Sequence, residues 1–156
     1  MPTEPKERLT GDRGGAPSRR KTGVLDASSA ILLFKAGLFE VLLETYAIVV
    51  AESVHEELCR EGYPGAEAFR ICRASGALTV APTGCGQPGA FEDPALLALD
   101  RGERDTVRCF NTGWGDFVIT DDGKAAKHCR SRGIPNLNAL LFSAAMFAWK
   151  RRCRHE

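Results

Sequence analysis

Short apolar runs alternate with segments of helical periodicity between residues 23 and 137 of this chain. An apolar run that leads directly into apolar residues at helical spacing is typical of a β-strand followed by an α-helix. Repeated strand–helix units form a parallel sheet, because a parallel connection has to cross over the sheet and a helix usually makes that crossover. We therefore predict an α/β fold with a central, mostly parallel sheet covered on both faces.

Element boundaries follow from changes of periodicity and from glycine and proline interruptions. The predicted strands are residues 23–25, 47–51, 77–81, 116–120 and 134–137. The predicted helices are residues 27–37, 39–46, 54–60, 66–74, 94–99, 102–110 and 122–132. Glycine and proline predict a loop over 82–93. The apolar stretch 137–149 is too short to cross a bilayer and predicts a buried terminal helix.

The chain has 156 residues, enough for one domain with a core and too few for two. Residues 1–22 carry six basic and three acidic side chains and little apolar surface, so we expect a disordered basic tail there. Residues 23–150 would form the domain, and residues 151–156 a basic C-terminal tail. Because the formal net charge is only +1, binding depends on local patches rather than on net charge.

The six cysteines are spread along the chain without a C-x-x-C pair. That spacing fits neither a structural zinc site nor a small disulfide scaffold. No apolar stretch of signal-peptide length follows the basic residues of 1–22. We therefore expect reduced thiols in a cytoplasmic protein with no membrane association.

Acidic residues close two of the predicted strands. Asp26 follows the first strand, and Asp121 and Asp122 follow the fourth. Ligands of open parallel sheets bind outside the carboxyl ends of the strands, so these carboxylates are candidate site residues. Since a helix begins directly after each strand, helix N-capping is the alternative role for Asp26 or Asp122 taken singly.

Two more acids lie on the apolar stripes of predicted helices, where charged residues are uncommon. Glu57 lies on the stripe of its helix, whereas its neighbour Glu56 points away. Glu103 lies on the stripe of a later helix, whereas Asp105 falls off it. Both Glu57 and Glu103 are therefore predicted to turn inward.

An inward carboxylate without a partner is unfavourable or takes up a proton. Several inward carboxylates coexist if they share a cation, and Mg²⁺ and Mn²⁺ prefer such hard oxygen ligands. A bound ion of this kind activates water and stabilises charge on a phosphate. The sequence contains no G-x-S-x-G or P-loop motif, and its three histidines are scattered. We therefore predict Mg²⁺ or Mn²⁺ as the cofactor.

The order of these acids resembles that of the PIN-domain family, especially its small prokaryotic VapC-like toxins. The resemblance covers residues 23–141, nearly all of the chain apart from its ends. It is carried by VLDASSA (24–30), VVAESVHEEL (49–58), LDRGE (99–103) and VITDDGKAA (118–126).

This resemblance implies a Rossmann-like, three-layer α/β/α sandwich and Mg²⁺- or Mn²⁺-dependent endoribonuclease activity. By position, it assigns Asp26, Glu57 and Glu103 to catalysis and to the metal. It favours Asp122 as the fourth acid, because the family often has Thr-x-Asp there, and leaves Asp121 as the alternative.

Supporting residues and partners also follow from the resemblance. Ser28 and Thr120 match hydroxyl positions that orient the acids or a bound water. RNA is the implied substrate; toxins of this type commonly dimerise and are blocked by a small antitoxin, so an antitoxin and a second copy are expected partners. From the residues alone, Lys124 is a candidate phosphate contact or a solvent-exposed side chain. Arg101, Arg104 and Arg108 fit a solvated helix surface better than a phosphate-binding face.

Two other functions are weighed against the nuclease. A catalytically silent module of the same fold would bind RNA or a protein partner and use its acids as caps and in ion pairs. An aspartyl phosphatase or receiver domain is disfavoured, because the chain lacks both the D-x-D-x-T motif and an early acidic pair.

Overall fold

The computed structural model describes residues 19–82 and 92–154. Its sheet has five strands in the order β3-β2-β1-β4-β5, and every neighbouring pair is parallel. The strands are β1 (Thr22–Leu25), β2 (Ala47–Val50), β3 (Thr79–Val80), β4 (Phe117–Ile119) and β5 (Asn136–Leu137). The predicted α/β fold is confirmed, and the described sheet is parallel throughout.

Helices connect these strands in the predicted order. They are α1 (Ala27–Lys35), α2 (Phe39–Thr45), α3 (Glu52–Leu58), α4 (Ala66–Ser75), α5 (Arg101–Asn111), α6 (Gly123–Ser131) and α7 (Ala139–Arg152). A 3₁₀ helix over Pro94–Ala98 takes the place of the helix predicted at 94–99. The predicted loop lies outside the described residues from 83 to 91, as does the predicted tail from 1 to 18.

The two edge strands are shorter than predicted. β3 and β5 contain two residues each, although the apolar patterns extend over 77–81 and 134–137. An edge strand pairs on one side only, so fewer of its residues are held in the ladder than in a central strand. The central strands β1 and β4 match their predicted ranges within one residue at each end.

Apolar side chains are buried on both faces of the sheet. In β4, Val118 packs with residues of α5 and α6, whereas Phe117 and Ile119 belong to a larger cluster that includes residues of α1, α2 and α7. Successive strand residues point to opposite faces, so helices cover both sides. This arrangement is the predicted three-layer α/β/α sandwich.

The chain adds strands on one side of β1 first and then on the other side. From β1 the chain moves outward through β2 to β3, and it then returns to β4 on the other side of β1 and continues to β5. Leu25 and Ile119 are register partners, and the Asp26 N–H donates to the Ile119 carbonyl at 3.0 Å. The carboxyl ends of β1 and β4 therefore meet at a topological switch point, where ligands of such sheets bind.

The prediction of a buried terminal helix is wrong. In α7, Ala139 and Phe142 are buried, but Leu140 is 74% and Trp149 is 58% exposed. The apolar run shows that this segment prefers a nonpolar environment, but it does not show which element covers it. Because α7 follows the edge strand β5, its first turns pack on the sandwich and most of its length faces outward.

The ends of the folded region extend slightly beyond 23 and 150. Arg20 donates from its guanidinium to the carbonyls of Leu43 and Glu44 at 3.0 and 3.2 Å, and β1 begins at Thr22. At the other end, α7 continues to Arg152.

The described cysteines are free thiols, whereas Cys85 lies outside the described residues. Within residues 19–82 and 92–154, no helix combines the length and apolar character needed to cross a membrane.

Candidate active site

Asp26 lies at the carboxyl end of β1 and is only 2% exposed. It caps α1, because one carboxylate oxygen accepts from the Ser29 N–H and from the Ser28 hydroxyl, both at 2.9 Å. The other oxygen accepts from the Thr120 hydroxyl at the end of β4. Burial raises the pKa of the Asp26 carboxyl, and the hydrogen bonds from Thr120, Ser29 and Ser28 act in the opposite direction.

Asp122 follows the neighbouring strand β4 and caps α6. Its carboxylate accepts from the N–H groups of Lys124 and Ala125 at 2.8 and 2.9 Å. Its own N–H donates to the Thr120 hydroxyl oxygen at 3.2 Å. Thr120 therefore links Asp122 to Asp26 through a single hydroxyl group.

Glu103 reaches the same region from the first turn of α5. It forms a capping box with Asp100, whose N–H donates to the Glu103 carboxylate at 3.1 Å. Burial, the like charge of the Asp122 carboxylate and the hydrogen bond between the two carboxyl groups together raise the pKa of Glu103 to about 7, with burial the largest cause. Two carboxyl groups in hydrogen-bond contact need a proton between them, which is the physical reason for the Asp122 contribution.

Glu57 completes the group from α3. It is half-buried, whereas Glu56 is exposed, as predicted from their positions on the helix. Glu57 lines a cavity of about 110 Å³. The lining residues are Asp26, Ala27, Ser28, Glu57, Asp100, Gly102 and Glu103. Three of the four predicted catalytic acids thus share one cavity, and Asp122 joins them through Glu103.

Asp121 points to a different part of the fold. Its carboxylate accepts from the Ser29 hydroxyl at 2.6 Å and from the Ala139 N–H at 3.0 Å. These contacts tie the first residue of α7 to α1. Neither Asp121 nor Asp122 lines the cavity, but Asp122 is hydrogen-bonded to Glu103 and shares the Thr120 hydroxyl with Asp26, so the geometry groups Asp122 with the other acids.

The sequence model of a family described as PIN domain matches residues 22–140, which is more than half of the chain. The chain belongs to the PIN-domain family. PIN domains are usually nucleases and generally use divalent metals. No individual curated protein matches the chain.

Two residues near the acids of this PIN domain are absent from the sequence predictions. Asp100 lines the cavity, and the D-x-x-E spacing from Asp100 to Glu103 is a capping-box pattern that was available in the sequence. Ser29 is fully buried and bonds to Asp121, 92 positions away in the chain. No local pattern indicates a contact of that separation.

Other predictions about charged residues have mixed outcomes. Lys124 is exposed, and the contact that joins it to Asp122 is its backbone N–H. The prediction that Arg108 lies on a solvated helix surface is wrong, because its side chain is only 14% exposed and pairs with Asp105, which is 16% exposed. An ion pair satisfies both charges, so both side chains tolerate partial burial.

The residues of this PIN domain fit a hard divalent ion in their chemistry. Within the described parts of the chain, no three acidic, histidine or cysteine side chains stand in a ready-made metal geometry. The donor set is nevertheless all carboxylate, and burial raises the pKa of both Asp26 and Glu103. A nearby cation relieves such a penalty on negative charge. Asp26, Glu57, Glu103 and Asp122 are the residues that would hold it.

Gly102 leaves room for an ion beside these acids. A Cβ atom at this position would lie 3.5 Å from a Glu57 carboxylate oxygen and 3.5 Å from a Val54 methyl group. We expect Gly102→Leu to fill the cavity and to weaken Mn²⁺ binding by about tenfold or more, the scale of disturbing a metal site from its surroundings. Mn²⁺ titration followed by electron paramagnetic resonance measures this loss.

Gly102→Ala is the matched control for that substitution. Because 3.5 Å is ordinary van der Waals contact, alanine fits, and its helix propensity stabilises α5 by about 0.5–1 kcal/mol. Equal Mn²⁺ affinity in the alanine and leucine variants would contradict the assignment of the cavity.

Metal affinity is expected to rise with pH. The ion binds carboxylates, whereas Asp26 and Glu103 hold protons more tightly than ordinary acids. Below pH 7, binding has to displace the Glu103 proton, so affinity falls by up to about tenfold per pH unit for each proton displaced. Mn²⁺ titrations at pH about 5.5 and about 8 test this prediction, and Glu103→Gln should flatten the dependence.

The raised pKa of Glu103 also determines how the stability of the metal-free protein changes with pH. The folded state binds the Glu103 proton more tightly than the unfolded state, whose pKa is near 4.5. The free energy of unfolding should therefore decrease as pH rises from about 4.5 to about 7, and added Mn²⁺ should reverse that decrease. A free energy that increases over this interval in the metal-free protein would contradict the shift.

Proposed function

We propose that this PIN domain is an endoribonuclease that hydrolyses RNA phosphodiester bonds with Mg²⁺ or Mn²⁺. The observation that supports this function is the convergence of Asp26, Glu57 and Glu103 on one cavity at the switch point of the sheet. Asp122, hydrogen-bonded to Glu103, adds a fourth carboxyl group. Clustered carboxylates at such an edge suit a cation and the phosphate that the cation attracts.

The residues of the chain have distinct roles in this proposal. A bound divalent ion supplies positive charge that activates water and offsets charge on the phosphate. Asp26, Glu57, Glu103 and Asp122 hold that charge in place. The Thr120 hydroxyl fixes the orientation of Asp26 and of the Asp122 backbone.

Substrate contacts are proposed at the first turn of α6. Lys124 is exposed one residue after the start of this helix, next to Asp122. A lysine there adds positive charge beside the acids and would contact a phosphate of the RNA backbone.

RNA cleavage by the purified full-length chain tests the proposal. Single-stranded and hairpin RNAs are incubated with Mg²⁺ or Mn²⁺, with EDTA, and with EDTA followed by excess metal. We expect internal cleavage with metal, none with EDTA, and recovery when metal is restored. A protein that binds Mn²⁺ but leaves every RNA intact is not a ribonuclease, and cleavage that persists in EDTA would exclude the metal.

A catalytically silent module is the second candidate, and one observation favours it. Asp26, Asp122 and Glu103 already serve as helix caps, so the fold uses these acids without any chemistry. Such a module would bind RNA or a protein, and EDTA would not change its affinity. The cleavage assay and a binding assay on the same RNA distinguish the two functions.

We also propose that the enzyme is the toxin of a type II toxin–antitoxin pair and acts in the cytoplasm. The support is a PIN domain whose Asp26, Glu57 and Glu103 line one cavity. Induced expression of the chain should arrest growth, and Asp26→Asn should not. Co-expression of a short neighbouring gene that restores growth would identify the antitoxin.

A homodimer is proposed as the assembly. Leu140, Leu141 and Phe147 are large apolar side chains exposed on α7. Several large exposed apolar side chains on one helix favour a protein interface there. Light scattering on the purified chain measures the mass directly, and a monomer of 16.9 kDa would exclude the dimer.

A further inference from the structure

A side-chain hydrogen bond joins the two helices that carry the catalytic glutamates. The Ser53 hydroxyl on α3 donates to a carboxylate oxygen of Asp105 on α5 at 2.6 Å. Ser53 lies one helical turn before Glu57, and Asp105 lies two residues after Glu103. Neither Ser53 nor Asp105 lines the cavity, so neither contacts the proposed ion.

Asp105 is itself held in place on α5. Its other carboxylate oxygen accepts from the Arg108 guanidinium at 3.2 Å. Two nitrogens of Arg108 lie 2.8 Å from one oxygen of Glu92. The side chains of Glu92, Asp105 and Arg108 are 14–16% exposed, so water competes little for these bonds.

The two helices also contact each other next to the acids. Gly102 on α5 approaches Val54 and Glu57 on α3 so closely that a Cβ atom would touch both side chains. A helix is stiff over one turn, because consecutive backbone hydrogen bonds couple its residues. A shift of α3 at Ser53 is therefore transmitted to Glu57.

We propose that the Ser53–Asp105 hydrogen bond positions Glu57 relative to Glu103 for the divalent ion. This inference rests on the proposed metal-dependent function. Ser53 and Asp105 are positioning residues, which act through the two glutamates and not on the substrate. Loss of such a supporting contact typically reduces metal affinity or activity by about 10- to 100-fold.

Ser53→Ala tests the proposal, and Ser53→Thr is its matched control. Alanine removes the hydroxyl from a partly exposed position near the start of α3, whereas threonine keeps it. We expect Ser53→Ala to raise the Mn²⁺ dissociation constant about tenfold and to lower kcat at fixed Mn²⁺, with an unchanged KM for RNA. Ser53→Thr should match the wild type in all three.

A merely structural hydrogen bond gives a different result. It would lower the melting temperature of Ser53→Ala but leave the Mn²⁺ dissociation constant of the folded protein unchanged, and that outcome would overturn the proposal. Electron paramagnetic resonance measures Mn²⁺ binding directly and does not depend on turnover.

A double-mutant cycle provides the second test. Asp105→Ala removes the same hydrogen bond from α5, so it should weaken Mn²⁺ binding about as much as Ser53→Ala. The double variant should then lose little more than either single variant, because the bond is already absent. Fully additive losses would overturn the inference.

Failure of this inference is distinguishable from failure of the proposed function. If the wild type binds Mn²⁺ and cleaves RNA, and Ser53→Ala does both equally well, only the positioning role is overturned. If the wild type neither binds Mn²⁺ nor cleaves RNA, both are overturned.

Discussion

Asp26→Asn is expected to abolish metal-dependent RNA cleavage while the fold stays intact. Asparagine removes the negative charge but keeps a side-chain oxygen that accepts from the Ser29 N–H, and it is a good N-cap. A ligand to the proposed ion contributes to several kcal/mol of charge stabilisation, so we expect a loss of about 10³-fold or more in the cleavage rate. Single-turnover kinetics with saturating Mg²⁺ measure it.

The same variant should be more stable than the wild type in EDTA. Burial raises the pKa of Asp26, which means that the folded protein is destabilised by its charge at neutral pH. A neutral side chain avoids that penalty, so the melting temperature in EDTA should increase. Added Mn²⁺ should stabilise the wild type more than the variant.

Asp116→Asn is the matched control for Asp26→Asn. Asp116 accepts from the Thr22 N–H at 2.8 Å, at the opposite end of β1 and far from the cavity. This variant should retain wild-type cleavage. If Asp26→Asn cleaves RNA at the wild-type rate, Asp26 has no part in the mechanism.

Glu57→Gln is expected to reduce cleavage by about 10²-fold, whereas Glu56→Gln leaves it within about twofold. The two residues are adjacent on α3, but Glu57 lines the cavity and Glu56 is exposed, with Arg101 at 4.0 Å. An exposed ion pair contributes little to stability, so its loss should change the cleavage rate very little. Cleavage rates and Mn²⁺ dissociation constants of both variants provide the comparison.

This pair of variants separates a local effect from a general loss of negative charge. Each variant removes one charge from α3, so the net charge of the protein changes equally. Similar losses in both would show that long-range electrostatics, and not contact with the ion, account for the effect of Glu57.

The central part of the fold could be predicted from the sequence because local and tertiary preferences agree there. β1 and β4 are short apolar runs that end in acid, and both lie between two neighbouring strands. The inward side of Glu57 followed from its position on the apolar stripe of its helix. Such patterns reflect directly which residues are buried, which is why these predictions agree with the structure.

Contacts between distant parts of the chain could not be predicted in this way. Asp105 falls off the apolar stripe of α5, but Ser53 and Arg108 hold it half-buried. Asp121 and Asp122 are adjacent, and no physical pattern in the sequence distinguishes them, although the family resemblance favours Asp122. The structure distinguishes them, because Ser29 and the start of α7 bind Asp121, whereas the start of α6 and Glu103 bind Asp122.

The Thr120 hydroxyl bridges the ends of β1 and β4, so the two aspartates are held differently from the two glutamates. The aspartates extend from the rigid centre of the molecule, where they are preorganised before any ion arrives. The glutamates extend from the outer layer on longer side chains with one more rotatable bond. We therefore expect the glutamates to rearrange most when the proposed ion binds, and mutations in α3 and α5 to change metal selectivity without disturbing the sheet.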